Sequence, residues 1–116
     1  MKVLIIEREE SYRAIFEAQL RDLGFEVLFG ITADEGRRLF HEHSASLFAV
    51  SVGSKIEGNL ELVREMRAIH PHPFPIIATS AIPEFREALK KAGCNREVND
   101  KTLLLDELLV LEDAHL

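Results

Sequence analysis

Four short apolar runs, each followed by a stretch with helical spacing and a glycine or a proline-rich break, constrain this chain most strongly. Val3 to Ile6, Phe25 to Phe29, Leu47 to Val52 and Pro75 to Ala78 are rich in β-branched or large apolar residues. The first is uninterrupted and the third repeats its pattern around Ser51, as expected of strands buried on both faces of a parallel sheet. Between them, Tyr12, Phe16, Leu20 and Leu23 recur at helical spacing and stop at Gly24, a residue able to take the left-handed conformation that closes a helix. Thr32 followed three residues later by Glu35 predicts a capping box for a helix carrying Leu39 and Phe40. Asn59 is the expected cap of a helix whose apolar face is Leu62, Val63, Met66 and Ile69. Pro83 opens a fourth helix that closes at Gly93. Cys94 to Val98 is poor in apolar residues and is read as an edge strand, and Asp100 or Thr102 caps a last helix ending near Asp113.

Five strand–helix units at this spacing imply a parallel sheet with right-handed crossovers and helices on both faces. The expected fold class is α/β: a flavodoxin-like three-layer α/β/α domain with a five-stranded sheet of order 2-1-3-4-5 and five helices. Any site should then lie at the carboxyl ends of the first and third strands. At 116 residues the chain is read as one domain, 1–116.

Charge and motif content exclude several functions. A net charge of −6, with no basic stripe, argues against a binder of the phosphate backbone, so no nucleic acid is expected through this domain. The N-terminus has only four apolar residues before Glu7, too few for a signal peptide or a membrane span, and the lone Cys94 forms no internal disulfide. A cytoplasmic location and no membrane partner are expected. No GxGxxG or GxxxxGK[ST] loop occurs; Gly30, Gly53 and Gly58 stand singly. His70 and His72 supply only two local ligands in a stiff proline loop, and His41 and His43 sit at the negative end of the second helix. Cys94 follows a helix C-terminus, where no dipole lowers a thiol pKa, and is read as a small buried residue.

The strand ends carry a family resemblance. The first strand ends in Ile6-Glu7-Arg8-Glu9, the third in Val50-Ser51 and the fourth in Thr79-Ser80-Ala81, while Leu23-Gly24-Phe25-Glu26-Val27 leads into the second strand. Together with the Leu60 to Arg67 helix and Ala92-Gly93, these resemble the receiver domain of bacterial response regulators over nearly the whole chain. The resemblance implies two-component phosphorelay signalling. In that family an acidic pair after the first strand holds Mg²⁺, an Asp ending the third accepts the phosphoryl group, a Thr or Ser after the fourth senses it, and a Lys after the fifth binds it. Carried over, the acidic pair becomes Glu7 and Arg8, the acceptor Ser51, the hydroxyl Ser80 and the Lys position Asp100; a shift of one residue puts Lys101 there instead.

A neutral hydroxyl at position 51 lacks a base to activate it, and Arg8 puts a fixed cation where a metal ligand belongs. The expectation is a pseudo-receiver that works without phosphorylation, through protein contacts, with no catalytic residue and no cofactor. Glu7 and Glu9 are the weak candidates for a metal, and an acidic helix start explains them as well. Arg8 is expected either to pair with Glu7 or Asp100 or to reach into solvent as an exposed side chain. A receiver switched by a non-phosphoryl ligand or a weakly held ion in the remodelled pocket is the alternative. A small enzyme comes third, since no His stands near Ser51 or Ser80 in the pattern. Glu97 falls where the family often has a switching aromatic residue. The last helix is apolar over more than half its circumference, so Glu97, Leu105, Leu109 and Val110 are the expected interface. The expected partner is a protein, with a homodimer through the fourth helix, fifth strand and fifth helix as one form.

Overall fold

A computed structural model of the chain describes residues 1–115, and only the backbone of the last of these. Its elements, in order, are β1 (Lys2–Ile6), α1 (Glu10–Asp22), β2 (Glu26–Gly30), α2 (Ala33–His43), β3 (Leu47–Gly53), α3 (Asn59–Ile69), β4 (Ile76–Thr79), α4 (Pro83–Ala92), β5 (Arg96–Val98) and α5 (Leu104–His115). Short 3-10 turns at Ser44–Ser46 and Lys101–Leu103 precede β3 and α5. All strand pairs are parallel, in the order β2-β1-β3-β4-β5, as the alternation of elements predicts.

Alternate residues of one strand serve opposite layers because successive side chains point to opposite faces. Leu4 and Ile6, with Val50, Val52, Ile76 and Ala78, meet Phe40 of α2, Leu62, Val63 and Met66 of α3 and Leu89 of α4. Val3 and Ile5, with Ala49, Ile77 and Val98, meet Phe16 and Leu20 of α1 and Leu104, Leu108 and Leu111 of α5. Each fully buried Leu, Ile or Phe contributes about 1.5–3 kcal/mol, so the two layers account for most of the stability. At one point the packing admits no side chain. A Cβ on Gly30, at the end of β2, would lie 2.9 Å from the backbone of Gly36 in α2.

Several local expectations change. Gly58, at φ 81°, is the N-cap of α3, and Asn59 is its first residue. The Asn59 side chain donates instead to Gly53 O at 2.8 Å and Ser54 O at 3.3 Å, which ties down the loop after β3. Ile69 and Leu23 are exposed, because each stands where its helix ends and the apolar face has turned off the sheet. Thr32 caps α2 by accepting from Glu35 N at 3.1 Å, while the Glu35 carboxylate takes Ile31 N at 3.0 Å. β5 has three residues and pairs only with β4, so it is the edge strand. Asp100 caps the 3-10 turn rather than the helix, and α5 runs on to His115. Among the described residues no helix is long and apolar enough to cross a membrane.

Candidate functional site

The carboxyl ends of β1, β3 and β4 bring three of the expected residues under cover. Glu7 follows β1 and extends its pairing, with its N–H donating to Gly30 O at 2.9 Å. Its side chain turns inward and the residue is only 4% exposed. A buried carboxylate needs a counter-charge, and Lys101 supplies it: Nζ lies 2.8 Å from Glu7 Oε1. The other oxygen accepts from Glu9 N at 3.1 Å. Lys101 also stands over the Tyr12 ring, 4.4 Å from its centroid, a cation–π contact that holds the ammonium from a second side. Arg13 fixes the loop beneath, donating through Nη1 to Glu7 O at 3.1 Å and Arg8 O at 2.7 Å.

Ser51 and Ser80 are also buried, and so is Thr79. Ser51 Oγ and Thr79 Oγ1 are 2.7 Å apart and share a hydrogen bond. Ser80 accepts from Ile82 N at its Oγ, at 3.1 Å, and donates its own N–H to Val98 O at 3.3 Å. A cavity of about 320 Å³ opens above, walled by Glu9, Tyr12, Ser54, Ser80, Asp100 and Lys101 among others.

Two expectations about charge are corrected. Asp100 lines this cavity but makes no ion pair there: its carboxylate is exposed and accepts from Thr102 N at 2.9 Å and Thr102 Oγ1 at 2.8 Å. Those two bonds hold its pKa below the usual carboxylate range. The 3-10 turn that Asp100 starts swings the next residue, Lys101, towards Glu7. Arg8 pairs with neither Glu7 nor Asp100. It is exposed and lines a separate cavity of about 430 Å³ beside the start of α2, with Lys55, Asp34, Glu57 and Glu61 among its other walls.

A hard divalent cation takes six or more oxygen ligands, usually including several carboxylates. The pocket offers one buried carboxylate, already bonded at both oxygens, with hydroxyls that are themselves engaged. That donor set does not fit such an ion. Among the described residues no group of three or more His, Cys, Asp or Glu side chains could hold a metal.

The expected interface residues separate into two kinds. Leu105 and Leu109 are half-buried and pack onto the core layer of α1 and α5, so they are not free surface. Val110 is 55% exposed and Leu103 is exposed beside it. Both line a groove of about 420 Å³ with Arg86, Glu97, Val98 and Asp106. Glu97 lies on the surface between two α4 cations, Arg86 Nε at 3.2 Å and Lys90 Nζ at 2.5 Å. Lys90, then Arg86, holds its pKa below the usual range.

Sequence reasoning did not single out Thr79, Tyr12, Arg13 or Arg86. Thr79 stood in the quoted strand end and alone had a readable signal; the others act through contacts that only the folded chain creates.

No protein-family model matches the chain, and no curated protein matches it. Solved structures do. A response regulator receiver domain protein from Clostridium thermocellum superposes with a TM-score of 0.81 at 24% identity, over 97% of this chain and 91% of that one. The chemotaxis protein CheY4 of Vibrio cholerae gives 0.78 at 20% identity, over 95% and 97%. The receiver domain of Ssk1 from Saccharomyces cerevisiae, in a co-crystal with the histidine phosphotransfer signalling protein Ypd1, gives 0.77 at 18%, over 94% and 83%. The similarity extends over nearly the full length of both partners in each pair, and the chain has the fold of response-regulator receiver domains.

Proposed function

We propose that this chain is a receiver-like signalling module, a pseudo-receiver, that accepts no phosphoryl group and acts through protein contacts. One observation carries the reading: Lys101 occupies the pocket's one buried carboxylate, Glu7, at 2.8 Å. Phosphoryl transfer to a receiver-type site needs a carboxylate nucleophile and a cation free to meet the developing charge. Here position 51 is a serine whose hydroxyl is bonded to Thr79, and the nearby ammonium is committed to Glu7. The module catalyses no reaction in this reading, needs no cofactor, and works in the cytoplasm apart from nucleic acid and membranes.

Its contact surface is the face made by α4, β5 and α5, where Val110, Leu103 and Phe85 are exposed around the Glu97 ion pairs. A protein partner meets it there, a second copy of the chain being one form. The Ssk1 receiver, crystallised with Ypd1, shows the same fold engaged by a protein. The cavity of about 320 Å³ beside Ser80 and Lys101 favours one other reading, a switch worked by a small ligand other than phosphate.

Amide NMR spectra with and without Mg²⁺ and beryllofluoride test the proposal. Unchanged resonances at residues 7, 51, 80 and 101 are expected. Saturable shifts there refute it. Sedimentation over a range of concentrations tests the homodimer, and thermal stabilisation by a metabolite panel identifies a ligand switch.

A further inference from the structure

The cavity of about 430 Å³ beside the start of α2 carries charges that the fold leaves unmatched. Of the chain's 14 Lys and Arg residues, all but four have a side chain in an ion pair or a hydrogen bond; Arg8, Lys55, Arg64 and Lys91 have neither among the described residues. In a chain with 20 acidic residues an unmatched cation is the exception, and two of these four, Arg8 and Lys55, wall the same cavity. The wall also carries Glu57 and Glu61, whose carboxylates have no partner among the described residues either. Its remaining charges, Arg37 and Asp34, neutralise each other at 2.6 Å. Both free cations project from backbone that is already fixed. Arg13 Nη1 donates to Arg8 O at 2.7 Å, and the Asn59 amide holds the loop before Lys55 through Gly53 O and Ser54 O.

We infer that this cavity binds a small zwitterion of the amino-acid class. A ligand with only negative charge would be opposed by Glu57 and Glu61, and one with only positive charge by Arg8 and Lys55. A molecule that carries both signs a few bonds apart answers all four. Its carboxylate takes the planar Arg8 guanidinium in paired hydrogen bonds, with the Lys55 ammonium adding charge, and its own ammonium lies against Glu57 and Glu61. An apolar side chain rests on Ile31, which is exposed at the cavity, and on Ala33. The volume lies within the range of small-molecule sites and leaves room for a single amino acid with some water. Backbone held in advance lowers the ordering cost of binding. Lys55 also walls the cavity beside Ser80, so a ligand that takes its ammonium removes a positive charge from the rim of that second cavity. The inference stands apart from the contact surface and from the Lys101–Glu7 pair.

Amide NMR titration of the chain with each of the common L-amino acids in turn tests it. One or more should give saturable shifts at Arg8, Ile31, Ala33 and Gly58, which wall this cavity and not the one beside Ser80. For that amino acid, the N-acetyl form and the carboxamide each lack one of the two charges and should bind at least about tenfold more weakly. Arg8→Gln and the double variant Glu57→Gln/Glu61→Gln should weaken binding by a similar factor, and because all three side chains are exposed the fold survives the changes. The inference is overturned if no amino acid gives saturable shifts at these amides, if the N-acetyl form or the carboxamide binds as tightly as the free amino acid, or if either variant binds with unchanged affinity. Failure of the phosphorylation-independent reading would show elsewhere, as beryllofluoride-dependent shifts at residues 7, 51, 80 and 101.

Discussion

Lys101→Met removes the counter-charge of Glu7 while keeping the length and apolar stem of the side chain. Glu7 is 4% exposed and keeps only the bond from Glu9 N. Stripping one partner from a buried ion pair costs about 3–5 kcal/mol, because the remaining charge stays desolvated. The Lys101 side chain is 20% exposed, so some water reaches the pair and the lower end, about 3 kcal/mol, applies here. For a domain of this size that corresponds to a melting temperature lower by about 12 °C. Glu7→Gln should cost less, about 1 kcal/mol, since the amide still accepts a hydrogen bond and Lys101 can turn to solvent. The double variant Glu7→Gln/Lys101→Met should be more stable than Lys101→Met by about 2 kcal/mol, because no uncompensated charge remains. Urea unfolding at neutral pH measures all three. A Lys101→Met loss below about 0.5 kcal/mol, or a double variant that simply sums the single losses, refutes the view that Lys101 is the counter-charge of a buried Glu7.

Other perturbations reach different parts of the same account. Ser51→Asp puts a carboxylate where the residue is buried and breaks the Thr79 bond, so it should lower stability by about 2–4 kcal/mol at pH 7 and by less near pH 4, where the acid is protonated; equal stability at pH 7 in thermal melts would contradict the burial of this position. Gly30→Ala should cost about 2–3 kcal/mol, because the new methyl meets the backbone of Gly36, which cannot rotate away, and a melt within 1 °C of the parent would show that α2 shifts freely. Burial pushes the Cys94 thiol up to about 12, so iodoacetamide at pH 8 should label the folded chain at least about 100-fold more slowly than the urea-unfolded chain, and comparable rates would count against its burial. The pKa of Glu97 is depressed on folding, so its contribution is complete above the ordinary carboxylate pKa and is lost as pH falls through the lowered value; the Glu97 carboxyl carbon shift should titrate below about pH 4, and a midpoint at the ordinary value would count against its pairing with Lys90 and Arg86.

The sheet was readable because strands buried on both faces are apolar at nearly every position, and their alternation with helical periods leaves few topologies. The same uniformity hid which residue serves which layer: Leu4 and Val3 look alike in sequence and lie in opposite cores. The apolar breadth of α5 reads as surplus surface from sequence, yet Leu105 and Leu109 belong to the layer that α5 shares with α1. Glu7, Ser51 and Ser80 were located by strand ends, which parallel pairing fixes. Lys101 was harder, since a three-residue edge strand and a 3-10 turn decide whether residue 100 or 101 faces inward. The pairing of Arg8 with Glu7 or Asp100 does not form because charge pattern ignores local capping and solvent: Arg8 is exposed, and Thr102 holds the Asp100 carboxylate.

The cation beside Glu7 belongs to the polypeptide. A dissociable ion occupies a carboxylate according to its concentration, so chelation or dilution empties the place it held. A tethered ammonium obeys no such mass action. Its local concentration is set by the geometry of the segment joining β5 to α5 and by the rotamer of Lys101. An input that frees Glu7 therefore acts by displacing residues 99 to 103 or by turning the Lys101 side chain away, not by diluting or chelating an ion.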